Sequence, residues 1–107
     1  MSVKQLKSNN DFLESINNQN VIVDFYADWC GPCKMLSPII DQLSDEYKNI
    51  SFCKVNVDEL NDVASQFNIM SIPTVILFSN KKMISSFTGF LPKEQIINFI
   101  NQNLQKK

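Results

Sequence analysis

The chain has 107 residues, of which 44% are hydrophobic and 20% charged, and its formal net charge is -1. This size and composition predict one globular domain spanning 1–107, and they exclude a second domain. Nucleic-acid binding is not expected, because a chain with no arginine and no excess of positive charge offers no basic surface to phosphates. Membrane association is not expected either, because no apolar run approaches the roughly 18 residues that span a bilayer.

Hydrophobic periodicity alternates between the strand and helix types, which predicts an α/β fold. In chain order, the predicted elements are a strand over 3–7, a helix over 10–17, a strand over 21–26, a helix over 31–48, a strand over 50–57, a helix over 59–67, strands over 74–79 and 83–88, and a helix over 92–105. The strand-helix-strand unit over 21–57 favours a parallel pair of strands, whereas the short connection Asn80-Lys81-Lys82 favours an antiparallel hairpin. Pro38 is expected to kink the longest helix.

Apolar residues at helical spacing predict which face of each helix is buried. In the first helix this face contains Phe12, Leu13 and Ile16. In the second helix it contains Met35, Leu36, Ile39, Ile40, Leu43 and Tyr47.

Histidine is absent from the chain, which excludes every catalyst that uses imidazole as a general base. The three cysteines, Cys30, Cys33 and Cys53, are too few for the disulfide framework of a small secreted protein. The N-terminal residues lack the apolar segment of a signal peptide. A reducing, cytoplasmic setting is therefore expected.

The segment Cys30-Gly31-Pro32-Cys33 falls where the strand over 21–26 gives way to the long helix. Unpaired N–H groups at a helix start favour a thiolate, which is the species that attacks disulfides. Cysteines three residues apart in a helical turn are also close enough to form a disulfide after modest adjustment. Pro32 suits the first turn because its missing N–H needs no partner, and Gly31 permits the close approach of another chain. The motif predicts reversible thiol-disulfide exchange.

A Cys-x-x-Cys pair is also half of many zinc sites, which need two further cysteine or histidine ligands. Only Cys53 remains, so redox activity is favoured over metal binding. Cys53 lies among apolar neighbours in the strand over 50–57 and is expected to be buried and inert. The alternative for Cys53 is a redox-sensing or dimer-forming thiol.

The segments VDFYAD and WCGPCK, followed by SIPT at 71–74, resemble the thioredoxin family, and the likeness covers essentially the whole chain. The resemblance implies a thioredoxin fold, in which four helices flank a five-stranded mixed central sheet. It implies that Cys30 is the nucleophile and Cys33 the resolving cysteine, with the redox-active disulfide between them and no bound cofactor. It also implies that Ile72-Pro73 is a cis peptide that faces the two cysteines.

Asp24 interrupts the apolar strand over 21–26, where a buried carboxyl group should be reluctant to ionise. The resemblance implies that Asp24 is the proton acceptor for Cys33, and without histidine only water competes for this role. Lys54 lies in the neighbouring strand. It is either the partner of Asp24, as in similar thioredoxins, or a lysine that buries its stem and extends its ammonium group into solvent.

Trp29 and Ile72 are expected to form parts of an apolar platform around Cys30, with a core position for Trp29 as the alternative. Phe90 follows Gly89, where the family usually has a small residue, so its bulk is expected to narrow the groove for targets. Asn80 stands where the family often has glycine, and asparagine can still adopt a positive φ.

These features predict a protein-disulfide reductase, a monomeric electron carrier in cell redox homeostasis. The resemblance implies recharging by a flavin- and NADPH-dependent thioredoxin reductase, and clients such as peroxiredoxin, ribonucleotide reductase or methionine sulfoxide reductase. One alternative is an oxidase or isomerase of the same fold, which Gly31-Pro32 disfavours. The other is a non-catalytic binding subunit, which the intact Cys30, Cys33 and Asp24 disfavour.

Overall fold

A five-stranded mixed sheet forms the centre of the protein in a computed structural model that describes residues 3–104. The strands are β1 (Val3–Gln5), β2 (Asn20–Tyr26), β3 (Ser51–Asn56), β4 (Thr74–Ser79) and β5 (Lys82–Thr88). They lie side by side in the order β1-β3-β2-β4-β5. β3 is parallel to β1 and β2, whereas β4 is antiparallel to β2 and β5. The predicted parallel pair and the predicted hairpin are both confirmed.

Four helices accompany the sheet in the part of the chain that the structure describes, which confirms the predicted thioredoxin fold. They are α1 (Asn9–Ser15), α2 (Gly31–Glu46), α3 (Asn61–Gln66) and α4 (Lys93–Leu104). Their ends lie within two residues of the predicted ends, and residue 105 lies outside the described residues. α2 continues through Pro38, although the proline ring removes one N–H from the helix. None of the helices within residues 3–104 is long and apolar enough to cross a membrane.

The hydrophobic core lies on both faces of the sheet. One part contains α1, α3 and an aromatic cluster made of Phe12, Phe25, Phe67 and Phe78. The other part contains the buried faces of α2 and α4, with Leu36, Leu43, Ile96 and Ile100. Because helices cover both faces, β2 and β4 are buried along almost their whole length.

The predicted buried faces are wrong at one position in each of the first two helices. Leu13 and Met35 are exposed, whereas the adjacent Phe12 and Leu36 are fully buried. Adjacent residues on a helix point about 100° apart, since a turn contains 3.6 residues. A residue next to a buried one therefore lies at the edge of the apolar stripe, and its own hydrophobicity does not decide its burial.

The turn between β4 and β5 is shorter than predicted. Lys82 already pairs with Ser79, so the turn contains only Asn80 and Lys81. Both have a positive φ, of 52° and 71°, as a type I′ hairpin turn requires. The sequence indicates this conformation for Asn80 but not for Lys81, because lysine has no local hydrogen bond that compensates for a left-handed backbone.

Candidate active site

Cys30 and Cys33 form a disulfide at the start of α2. Their Cα atoms lie 5.3 Å apart, within the range of bridged cysteines. Cys30 is the N-cap residue, and its Sγ accepts a hydrogen bond from the Cys33 N–H at 3.2 Å. Pro32 lies in the first turn of the helix, as predicted. A Cβ added at Gly31 would meet no atom within 4 Å, so another chain can approach the backbone there.

Cys30 and Cys33 differ in the hydrogen bond at the helix start and hardly in their exposure. The exposed fractions of Cys30 and Cys33 are only 4% and 3%. A thiolate on Cys30 keeps the N–H donor of Cys33 and faces the positive end of α2. The arrangement therefore favours Cys30 as the thiol that ionises first.

The loop before β4 brings a backbone carbonyl group to the disulfide. The Ile72-Pro73 peptide bond is cis, as expected, and the Ile72 carbonyl oxygen lies 3.8 Å from Cys30 Sγ. The Thr74 hydroxyl donates a hydrogen bond to the Ser71 carbonyl at 2.6 Å, which holds the loop closed. Because β4 is antiparallel to β2, the residues that precede β4 lie at the same end of the sheet as those that follow β2.

Trp29, Met70 and Ile72 form an apolar platform, in which Ile72 packs against Cys30 and Cys33. Trp29 is 70% exposed and does not occupy the core. Its Nε1–H donates a hydrogen bond to Asp58 Oδ2 at 2.9 Å, which orients the indole ring. All three platform residues line a shallow cavity of about 190 Å³.

The contributions of Met70 and Asp58 to this surface are not apparent from the sequence. Met70 reads as one more apolar residue near SIPT, and only its exposure, of 91%, shows that it belongs to the surface. Asp58 follows β3, and its contact with Trp29 spans 29 positions of the chain. A contact of this kind leaves no local pattern in the sequence.

Asp24 lies in the middle of β2 and is 3% exposed. The pKa of Asp24 is raised from 3.8 to about 7, and burial is the largest cause. The positive charge of Lys54 opposes this rise, whereas the negative charge of Asp41 adds to it. One carboxyl oxygen, Oδ1, has no hydrogen-bond partner among residues 3–104. At neutral pH this group is therefore poised between its charged and uncharged forms.

Asp24, Lys54 and Cys33 line one cavity of about 220 Å³. Lys54 is the register partner of Asp24 on the parallel strand β3. Its ammonium group lies 5.5 Å from the centroid of the Tyr26 ring. The charge of Lys54 thus acts on Asp24, and the ammonium group also faces an aromatic ring.

Phe90 lies beside the loop that carries Pro73. The Gly89 N–H donates a hydrogen bond to the Pro73 carbonyl at 2.8 Å, and the positive φ of Gly89, 83°, suits a residue without a Cβ. Phe90 is partly exposed. Its side chain is thus available at the rim of the site.

Cys53 is a free thiol buried in β3. Burial raises the pKa of Cys53, and a hydrogen bond with Ser15 and the charge of Lys4 offset part of this effect. Within residues 3–104, no group of three or more histidine, cysteine, aspartate or glutamate side chains is arranged to hold a metal ion.

Comparisons with known proteins match almost the whole chain. The family model described as Thioredoxin matches residues 2–102. The chain is 48% identical over 79 residues to a thioredoxin of Mycoplasmoides gallisepticum, covering 74% of this chain and 79% of the relative. It is 40% identical over 97 residues to a thioredoxin of Haemophilus influenzae, covering 88% of this chain and 91% of the relative. A structure of Plasmodium falciparum thioredoxin matches with a TM-score of 0.88 at 35% identity, covering 92% of this chain and 97% of that chain.

Proposed function

This chain belongs to the thioredoxin family and is a thiol-disulfide oxidoreductase that reduces protein disulfides through the Cys30–Cys33 pair; from this premise we propose that Cys30 is the nucleophile, Cys33 the resolving cysteine and Asp24 the proton acceptor. One observation carries the assignment of Cys30. Its Sγ accepts the Cys33 N–H at the start of α2, and this donor stabilises a thiolate on Cys30.

Reduction of a client begins when the Cys30 thiolate attacks one sulfur of the client disulfide. The client S–S bond breaks, a mixed disulfide forms with Cys30, and the other client sulfur leaves as a thiolate that takes a proton from water. Cys33 transfers its proton to Asp24 and attacks Cys30 Sγ, so that the mixed disulfide breaks and the first client sulfur leaves. Two electrons have then passed from the dithiol to the client, and the Cys30–Cys33 disulfide has formed.

The environment of Asp24 supports its role as the proton acceptor. A pKa of about 7 is close to the working pH, which is where a general base combines availability with strength. Asp24 and Cys33 line the same cavity, so a proton can pass between them directly or through water. The charge of Lys54 tunes this acceptor, because it lowers the pKa that burial has raised.

Client proteins dock on the apolar platform and on the backbone beside it. Trp29 and Ile72 supply apolar area next to Cys30, the open space at Gly31 admits an extended chain, and Pro73 holds the loop that presents the Ile72 carbonyl. Phe90 follows Gly89, whose N–H bonds to the Pro73 carbonyl, and in this proposal its bulk limits the width of the groove.

Turnover needs an electron donor for the Cys30–Cys33 disulfide and disulfide-containing acceptors. The donor in this proposal is a flavin- and NADPH-dependent thioredoxin reductase, and the clients are proteins such as peroxiredoxin, ribonucleotide reductase and methionine sulfoxide reductase. Family membership supports these partners. Three cysteines are too few for the disulfide framework of a small secreted protein, which supports a reducing compartment such as the cytoplasm.

The direct test of the cysteine roles is the reduction of insulin disulfides with dithiothreitol as the electron source. The parent protein should be active, and Cys30→Ser should be inactive because the attacking thiolate is gone. Cys33→Ser should accumulate mixed disulfides with insulin, because the first step still occurs and the second cannot. Cys53→Ser is the matched control and should retain activity. Full activity in Cys30→Ser would refute the assignment.

The reduction potential of the Cys30–Cys33 pair separates this proposal from an oxidase or isomerase of the same fold. Equilibration with glutathione buffers, followed by quantification of free thiols, measures it. A strongly reducing potential is expected for a reductase. An oxidising potential would favour the oxidase or isomerase, and a pair that equilibrates normally but reduces no protein disulfide would favour a binding subunit.

A further inference from the structure

Met70 is the most exposed of the three methionines in residues 3–104. Its exposed fraction is 91%, compared with 60% for Met35 and 53% for Met83. It lines the same shallow cavity as Trp29 and Ile72. An accessible thioether thus shares a cavity with Ile72, which packs against the two cysteines.

We propose that Met70 is an oxidation site through which hydroperoxides weaken the binding of client proteins. The proposal rests on the docking role assigned above to the apolar platform. It adds a regulatory input that acts beside the cysteines and leaves their chemistry unchanged.

The oxidation step needs only the thioether and a hydroperoxide. The Met70 sulfur attacks the terminal oxygen of the hydroperoxide, the O–O bond breaks, and an S–O bond forms. The proton of the attacked oxygen passes to the departing oxygen, which leaves as an alcohol, or as water when the oxidant is hydrogen peroxide. The sulfur thus loses two electrons and the peroxide gains them. Methionine sulfoxide is reversible, because methionine sulfoxide reductases return it to the thioether.

The sulfoxide changes the platform in one specific way. A methionine side chain is apolar and flexible, so it adapts to varied partner surfaces. The sulfoxide oxygen is a strong acceptor that must lose its water when a client covers it, which costs binding free energy. Attack by Cys30 is unaffected in this scheme, because the group that borders its sulfur is the Ile72 backbone carbonyl, which peroxide does not alter.

Met83 provides a matched control at the far end of the sheet. It pairs with Phe78, which pairs with Val21 near the start of β2, whereas Cys30 follows the end of β2. Met83 is exposed as well, so it can be oxidised without any change to the platform.

The experiment starts from the protein with the Cys30–Cys33 disulfide closed, so that neither sulfur is a free thiol during treatment. Hydrogen peroxide is added and removed, and peptide mass spectrometry gives the order in which the methionines are oxidised. The protein is then reduced and assayed with insulin and with a small aromatic disulfide. Met70 should be oxidised first, the KM for insulin should rise about fivefold, and the rate with the small disulfide should not change.

Two substitutions at Met70 separate oxidation from other damage. Met70→Leu should show no rise in KM relative to its own untreated form, because leucine cannot form a sulfoxide, whereas Met83→Leu should show the same rise as the parent. Met70→Gln should show a raised KM without peroxide, because it places a polar group at the same point. An equal rise in Met70→Leu, or oxidation of Met35 or Met83 before Met70, would overturn the inference. Failure of the untreated parent to reduce insulin would instead overturn the proposed function.

Discussion

At Asp24, function and stability place opposite demands on one side chain. The group must be buried to have a pKa of about 7, and in the described part of the chain the same burial leaves Oδ1 without a hydrogen-bond partner. An ionised carboxylate in that position destabilises the folded state. The residue therefore lowers stability at neutral pH while it serves as a base.

Asp24→Asn should stabilise the fold and slow the release of the client. Because the folded pKa is raised from 3.8 to about 7, the stability contributed by the protonated carboxyl is present below pH 4 and is lost as the pH rises through 7. At pH 8 the free energy of unfolding should increase by roughly 3 kcal/mol, after allowance for the amide that asparagine buries. Urea midpoints at pH 5 and pH 8 measure this, and the gain should be smaller at pH 5.

The exposed neighbour Asp28 offers a control, since Asp28→Asn should change stability by no more than about 0.5 kcal/mol. A lower urea midpoint for Asp24→Asn at pH 8 would contradict the account of a destabilising buried carboxylate.

Cys53 should be unreactive in the native protein. It is buried, and burial raises its pKa, so little thiolate is available at neutral pH. In the reduced native protein a thiol-reactive dye should modify Cys30 rapidly and Cys53 only after denaturant is added. In the oxidised native protein no thiol should react on that timescale. Rapid labelling of Cys53, or a disulfide-linked dimer that is lost in Cys53→Ser, would show that the sensing or dimer-forming alternative is correct.

At the scale of single elements, the sequence predicts most of what the structure contains. Continuous apolar runs predict β2 and β4, because strands covered on both faces leave no room for alternation. The exposure of Leu13 and Met35 could not be predicted, because a helix edge is defined by what packs against it. The left-handed φ of Lys81 could not be predicted either, because register pairing in β4 and β5 imposes it on an unsuitable residue.

The β4–β5 turn should be stabilised by Lys81→Gly. Lys81 has a φ of 71°, which costs a residue with a Cβ about 1–2 kcal/mol and costs glycine almost nothing. The greater freedom of glycine in the unfolded chain offsets part of the gain, so an increase of about 0.5 kcal/mol in the free energy of unfolding is expected. Urea denaturation measures it.

Lys82→Gly is the matched control for this turn. Lys82 is the first residue of β5, where glycine should destabilise by about 0.5–1 kcal/mol. Equal effects at positions 81 and 82 would show that the turn does not impose the left-handed conformation in solution.

At the scale of the whole molecule, the redox disulfide follows the end of β2, whereas Phe78 of the aromatic cluster pairs with Val21 near the start of β2. The disulfide, the cis peptide and the platform meet at one end of the sheet, where β2 ends and β4 begins. The motif WCGPCK and the segment SIPT identify both parts of this site. The contact between these two segments could be expected only through the family resemblance, because the local sequence does not indicate that β4 is antiparallel to β2.

This separation predicts that Phe78→Ala lowers stability without changing the redox chemistry. Phe78 is fully buried and packs its ring against Phe12 and Phe67. Its truncation should cost about 3–5 kcal/mol, which is a large fraction of the stability of a domain of this size. Urea denaturation should show this loss, while the potential of the Cys30–Cys33 pair in the folded protein should stay the same.

Phe90→Ala should instead change the reduction of clients and leave stability nearly unchanged. The side chain is partly exposed, so stability should change little, and kcat/KM for bulky clients should rise because the groove is wider. A changed potential in Phe78→Ala, or an unchanged client range in Phe90→Ala, would show that core and rim are not independent.

The hydrogen bond from the Cys33 N–H to Cys30 Sγ makes one backbone proton a spectroscopic reporter of the redox state. Its acceptor is a neutral sulfur in the disulfide and a charged sulfur in the thiolate, and a charged acceptor forms the stronger hydrogen bond. The nuclear magnetic resonance shift of this single proton should therefore titrate with the thiolate, and it should distinguish the thiolate from every form in which Cys30 is part of a disulfide, without any added label.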